Sequence, residues 1–191
     1  MLHTTVPDFG SSAPPTCTCR APVSKADLVS LESDETLLST YMNQLSSQFP
    51  FVIIPPGTTP KQLQATRPFL MKVIRMVASV RHLRSMWGQS RAVMKHICDV
   101  MLVGSERSLD LLQGILVFSG FYHYFCMSHA HFNNLVHLAV SLVGDMDLST
   151  CPNLKSREAH HRLVLVRTEE TRPRTNEERR AFLGVWYMSS K

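Results

Sequence analysis

A long stretch without basic residues in the middle of the chain limits what this sequence can fold into. Residues 108–150 contain three aspartates and no lysine or arginine, whereas residues 67–107 carry eight basic and two acidic side chains. Within this stretch, SLDLLQGILVFSGFYHYF has apolar residues on almost every side when placed on a helix. A helix that is apolar all round is a buried, central one. The sequence therefore predicts a helical domain built around this segment.

The same segment could also be considered as a membrane span. Leu111 to Met127 contain no Asp, Glu, Lys or Arg, and their number approaches the length of a bilayer-spanning helix. Gln113, His123 and two glycines interrupt the run, and no basic residue closes its C-terminal end. We therefore predict a buried helix in a bundle and expect no membrane partner.

Apolar residues recur at helical spacing through most of the chain after residue 33, which predicts an all-α fold of about six helices. FPFVIIPP at 49–56 is too isolated to pair as a strand and is interpreted as an extended connector packed on the core. The segments with helical spacing are 34–49, 60–81, 84–103, 108–125, 131–148 and 175–189.

Short polar residues mark where these helices begin, because their side-chain oxygens accept hydrogen bonds from free backbone N–H groups. Ser33 or Asp34 can cap the first helix, and Ser105 or Ser108 can cap the central one. Thr59 precedes a proline suited to the first helical position, and Pro68 is expected to restart that helix after a short first piece. The last helix is predicted to open with a capping box formed by Thr175 and Glu178.

Two segments lack helical periodicity. Residues 1–33 are rich in Pro, Ser and Thr, which predicts a disordered tail. Residues 149–173 are mostly polar apart from LVLV at 163–166, which predicts a flexible loop. The helical domain is then expected to span 34–191. Because the chain stops at the last apolar stripe, we expect only part of a domain, with an uncovered apolar face that favours self-association and loose packing.

The net charge of +5 is distributed in alternating blocks along the chain. A uniformly basic surface would indicate nucleic-acid binding, whereas alternating blocks indicate solvated helix faces around an uncharged centre. No secretory signal opens the sequence, and the odd number of scattered cysteines fits a reducing compartment, nuclear or cytosolic.

Neither the histidines nor the cysteines have the spacing of a metal site, so we expect no metal and no cofactor. A zinc site needs three or four convergent ligands, and Cys17 and Cys19 have the wrong spacing for a zinc knuckle. Cysteines 98, 126 and 151 are isolated and are predicted to be small buried residues. Four of the nine histidines, His123, His129, His131 and His137, cluster in one part of the sequence.

No catalytic motif is recognisable, so we expect no enzyme and no catalytic residue. GxSxG, the P-loop and the Rossmann fingerprint are all missing from the sequence. An aromatic group in the central helix could line a ligand cavity, but packing in the core is the favoured interpretation. Its members are Phe118, Phe121, Tyr122, Tyr124 and Phe125.

Four ordered segments resemble a known family. ERSLDLLQGILVFSGFYHYF, HFNNLVHLAVSLVGDMDL and RTNEERRAFLGVWYMSS look like three consecutive helices of the regulatory domain of fungal zinc-cluster (Zn2Cys6) transcription factors, the middle homology region. FPFVIIPPGTTPKQLQATRPFLMKVIRMVAS resembles the segment that precedes them in the family. Together the four segments cover about residues 49–189.

The resemblance implies a nuclear regulator of RNA polymerase II transcription that contacts protein partners of the transcription machinery or associates with itself. Relatives bind DNA through an N-terminal cluster of six cysteines that holds zinc. This sequence has Cys17 and Cys19 and no further cysteine before Cys98, so no zinc ligand or DNA-contact residue carries over. We therefore expect a piece of the regulatory domain without its own DNA binding, with room for a small-molecule effector. The alternative is a small-molecule-sensing or other helical binding protein that uses the segment 109–125 and His123.

Overall fold

The computed structural model describes Ser24 and residues 32–124, 131–149 and 173–190. These residues form seven α-helices and no β-strand, so the all-α prediction is confirmed. Pro68 separates the second and third helices, as predicted. The helices are α1 (Asp34–Thr40), α2 (Pro60–Thr66), α3 (Pro68–Ala78), α4 (Leu83–Ile97), α5 (Leu109–Gly120), α6 (His131–Asp145) and α7 (Asn176–Ser189).

The predicted capping residues begin the helices. Ser33, rather than Asp34, caps α1 by accepting a hydrogen bond from the Thr36 N–H at 3.2 Å. Ser108 caps α5, whereas Ser105 has a left-handed φ of 51° that does not suit the extended cap conformation. Reciprocal capping boxes form at Thr59 with Gln62 and at Thr175 with Glu178.

Helix α5 lies at the centre of the structure. All nine residues from Leu111 to Ser119 are buried, and the helix packs against α3, α6 and α7. Phe118, Phe121 and Tyr122 are each at most 6% exposed, which confirms that these aromatic side chains belong to the core. Tyr124 is exposed, and the predicted fifth member, Phe125, lies outside the described residues.

The connector before α2 is held by a buried hydrogen bond. The Tyr41 hydroxyl donates to the Val52 carbonyl at 2.8 Å, and burial raises the pKa of Tyr41, so the phenol stays protonated. Phe49, Val52 and Ile54 are buried, as expected for a connector packed on the core.

Helices α1 and α4 both continue into π-helical turns, which the sequence did not predict. These turns span Tyr41–Leu45 and Cys98–Val103. In the second turn Val100 and Met101 still pack against the core, whereas its other side chains after Ile97 are exposed. The predictions for two of them are therefore wrong: Cys98 is exposed rather than buried, and Leu102 is 62% exposed rather than part of the apolar stripe. Cysteines 17, 19, 126 and 151 lie outside the described residues.

Helix α7 packs through a different face from the one predicted. Ala181 and Val185 are buried as expected, but Trp186 is 63% exposed. Gly184 faces the core instead, since a Cβ there would meet the Phe51 Cβ at 2.8 Å. The missing side chain lets α7 approach the connector closely at Phe51.

The outer face of α7 is apolar. Leu183, Trp186 and Tyr187 are 50%, 63% and 41% exposed, although Tyr187 also contacts the Phe51 ring at 5.3 Å between centroids. Leu183 and Trp186 are thus exposed apolar side chains among the described residues, whereas the uncovered apolar face expected from the sequence stays a prediction. The resulting self-association and loose packing stay predictions.

The two segments predicted to lack structure fall mostly outside the described residues. Of the predicted tail at 1–33, only Ser24, Glu32 and Ser33 are described, and of the predicted loop at 149–173, only its first and last residues. Both predictions therefore stay open. Across the described part of the chain, no helix is long and apolar enough to cross a bilayer.

The close contact between α3 and α5 can be tested at Gly114. A Cβ at this position would overlap the Phe69 ring, so we expect Gly114→Ala to lower the free energy of unfolding by about 1–3 kcal/mol. Gly144→Ala is the matched control in α6, since nothing lies within 4 Å of its added Cβ, and its stability should stay equal or rise by up to about 1 kcal/mol. Urea denaturation followed by circular dichroism measures both. Equal stability of the two variants would contradict the close contact.

Candidate functional site

A cavity of about 800 Å³ opens between α3, α4 and the N-terminal end of α5. Its size falls within the range of small-molecule binding sites. The walls combine apolar and charged side chains, and α3 and α4 together contribute seven of the fifteen lining residues. The packing of these helices determines its shape, so we describe the contacts that hold α3 first.

Asp110 holds the N-terminal end of α3 from a neighbouring helix. Its two carboxylate oxygens accept hydrogen bonds from the backbone N–H groups of Phe69 and Leu70 at 2.9 and 2.8 Å. The residue in the cap position, Arg67, has no side-chain capping bond of its own. A carboxylate is favoured there by the N–H groups and by the positive end of the helix dipole. The sequence placed Asp110 only in the first turn of α5, so its role across helices was missed.

Phe69 and His96 form an aromatic wall of the cavity. Their rings are stacked with centroids 4.9 Å apart and planes inclined by 21°. Burial, followed by the nearby charge of Lys72, lowers the pKa of His96 despite opposing contributions from Glu106, Asp99 and Asp110. The imidazole is therefore neutral at pH 7.

Two opposite charges at the edge of the cavity compensate each other. The Arg75 guanidinium donates to both oxygens of Asp34 at 2.6 and 2.7 Å. This bidentate pairing lowers the pKa of Asp34 and raises that of Arg75. It also joins α1 to α3 through a charge-assisted contact.

Lys72 differs from the other charged residues of the cavity. It lies one turn before Arg75 on α3 and forms no ion pair with any residue in the described ranges. Burial lowers the pKa of Lys72, because the charged ammonium loses solvation. Among the described residues, no carboxylate forms an ion pair with this partly buried cation. The sequence placed Lys72 on an outer face of α3, and no local signal distinguishes it from other lysines.

The histidines considered from the sequence do not form a site. His123, His131 and His137 are exposed and none lines the cavity, and His129 lies outside the described residues. The described parts of the chain contain no group of three metal-ligating side chains close enough to hold an ion. Of the segment 109–125 considered for a ligand site, Asp110 and Leu111 line the cavity at the N-terminal end of α5, whereas His123 does not.

A second cluster joins three of the four segments that resemble the zinc-cluster family. The Arg67 guanidinium, in RPF, donates to the side-chain carbonyl of Gln113, in LLQG, and to the carboxylate of Glu177, in TNEE. Gln113 is 3% exposed, so its amide oxygen needs this donor. The cluster connects the start of α3 with α5 and α7.

The capping role of Asp110 can be tested by removing its carboxylate. Asp110→Ala leaves two N–H groups of α3 without acceptors, so we expect a loss of about 1–3 kcal/mol in the free energy of unfolding. Asp99→Ala, at an exposed position after α4, is the control and should change stability by less than about 0.5 kcal/mol. Urea denaturation measures the free energy of unfolding of both variants. If Asp110→Ala loses no more stability than Asp99→Ala, Asp110 does not cap α3.

The Asp34–Arg75 pair predicts a pH-dependent contribution to stability. Because the folded-state pKa of Asp34 is lowered, the pair stabilises the fold above the unfolded-state pKa of about 3.9, and this contribution is lost as the pH falls through the folded-state value. Asp34→Asn should therefore be less stable than the wild type at pH 7, with a difference that shrinks below about pH 4.

The control for this measurement is Glu35→Gln. Glu35 lies in the same helical turn as Asp34 but has no ion pair with a described residue. We expect Glu35→Gln to lower the stability only slightly, because it removes a negative charge that interacts favourably with the helix dipole. The melting temperatures of the three proteins are measured from pH 2.5 to 7. If the difference in melting temperature between wild type and Asp34→Asn stays constant over this range, the Asp34–Arg75 pair makes no pH-dependent contribution to stability.

Comparison with known proteins gives one curated relative. The chain is 29% identical over 168 residues to a protein named "Transcription factor himD" from Aspergillus japonicus. The alignment covers 85% of this chain and 27% of the relative, so the chain spans about a quarter of that protein's length. No family model matches the chain. No solved structure matches it either. The chain is thus similar to part of a fungal transcription factor.

Proposed function

We propose that this chain is part of the regulatory domain of a fungal zinc-cluster transcription factor and acts in the nucleus on RNA polymerase II transcription. The similarity to a fungal transcription factor over 85% of the chain supports the general assignment. The four segments that resemble the middle homology region support the finer one. The proposal gives the chain no catalytic role and no cofactor, and it assigns DNA contact to a zinc cluster outside these residues.

The observation that carries the proposal is the cluster of Arg67, Gln113 and Glu177. These residues are far apart in sequence, and each lies in a different family-like segment. Their contacts place the three segments in one packed unit, and this supports treating them together as parts of one domain. Gln113 and Glu177 both depend on the segment that carries Arg67, because its loss would remove the guanidinium that donates to each of them.

The outer face of α7 supports a role through protein contacts. Leu183, Trp186 and Tyr187 place apolar and aromatic surface on one helix, a composition typical of the centre of protein interfaces. In the proposed role, this face of α7 contacts proteins of the transcription machinery or a second copy of the chain.

A small-molecule-sensing protein is the second candidate function. The cavity between α3 and α4 favours it, since its volume of about 800 Å³ suits a small ligand. The two functions are compatible, because a regulatory domain can respond to an effector.

A tethering assay tests the transcriptional role. We expect the chain, fused to a bacterial DNA-binding domain in a fungal host, to change transcription from a matching reporter relative to the DNA-binding domain alone. Arg67→Met should abolish this change because it leaves Gln113 and Glu177 without their donor. Arg179→Met is the control at an exposed position of α7 and should retain it. Nuclear imaging and immunoblotting establish that each fusion is present at equal level.

Two results would contradict the proposal. The first is reporter output equal to that of the DNA-binding domain alone while the wild-type fusion is abundant in the nucleus. The second is tight binding of the purified chain to duplex DNA with a steep dependence on salt, because that dependence is the signature of many phosphate contacts.

A further inference from the structure

Three of the charged groups around the cavity already have partners. Asp34 is paired with Arg75, and Asp110 accepts two backbone hydrogen bonds from α3. Lys72 forms no ion pair within the described part of the chain, although it lies between these groups on the cavity wall. A partly desolvated ammonium without a partner is a recognition point for an anionic group.

The surface beside Lys72 suits an apolar or aromatic group. The stacked rings of Phe69 and His96 form a flat wall, and Val100 and Leu111 add apolar surface. Lys72 is close enough to His96 to lower the pKa of the imidazole, so the cation and the aromatic wall are neighbours. A ligand can therefore contact both at once.

Two further carboxylates limit the charge of the ligand. Glu32 lies 3.7 Å from His82, and Glu106 contacts the Ser108 hydroxyl at 3.5 Å, and both line the cavity. Neither is neutralised by a lysine or arginine among the described residues. A ligand with two or more negative charges would be repelled by them, whereas a single negative charge can be placed on Lys72.

We propose that this cavity binds a small monocarboxylate with an aromatic or apolar body, whose carboxylate pairs with Lys72 and whose body packs on Phe69 and His96. The proposal rests on the sensing function above and does not depend on the transcriptional role. Binding is measured on the purified chain, so a failure here and a failure in the tethering assay are separate results.

Isothermal titration of the full chain with phenylacetate, 4-phenylbutyrate and decanoate tests the proposal. Each carboxylate is compared with its uncharged primary amide, which has the same body. We expect at least one carboxylate to bind about tenfold or more tightly than its amide, because the neutral amide lacks the negative charge that pairs with the ammonium. Inorganic phosphate and citrate, which carry more charge, should bind more weakly than that carboxylate.

Lys72→Met removes the charge while keeping the length of the side chain. We expect it to weaken carboxylate binding by about tenfold or more and to leave the amide unchanged. Lys61→Met, at an exposed position of α2 outside the cavity, is the control and should bind as the wild type does. Ala92→Phe fills the cavity from α4 and should abolish binding of both ligands.

Several results would overturn the proposal. They are the absence of binding by all three carboxylates, equal affinity for carboxylate and amide, tighter binding of phosphate or citrate, and unchanged affinity in Lys72→Met or Ala92→Phe. Circular dichroism establishes that each variant is folded. If Lys72→Met is unfolded, the comparison of carboxylate with amide on the wild-type chain decides the question by itself.

Discussion

The packing of α3 against α5 depends on one carboxylate and one missing side chain. Asp110 accepts hydrogen bonds from the first free N–H groups of α3, and Gly114, one turn further along α5, leaves space for the Phe69 ring. The hydrogen bonds determine where α3 begins relative to α5, and the glycine determines how closely the two approach. A buried helix end needs partners for its N–H groups, so this contact is a condition for burying α3 at all.

The same contact shapes the cavity. With its first turn held on α5, α3 directs Lys72 and Phe69 toward α4, where His96 completes the aromatic wall. Apolar packing fills the other side of α3, where Met71, Val73 and Ile74 are fully buried. The charged groups are thereby confined to the side that faces α4, and partial burial shifts the pKa values of Lys72 and His96 downward.

Three phenylalanines that each face a glycine connect the remaining elements. Phe49 lies against Gly120, Phe51 against Gly184, and Phe69 against Gly114. Two of these rings come from the connector before α2, and they contact each other edge to face with centroids 5.0 Å apart. The connector therefore joins the C-terminal end of α5 to α7. Overpacking at such positions displaces the rings and is costly in a close-packed core.

The sequence by itself determined the helical class, the helix starts and the burial of α5, because these depend on periodicity and on capping residues within a few positions of each other. Only the tertiary structure decided the rest. The exposure of Cys98, the exposure of Trp186 and the cap that Asp110 provides all depend on which helix faces meet. The cavity at Lys72 also depends on which helix faces meet, since a charged residue on a helix becomes part of a site only when a neighbouring helix encloses it.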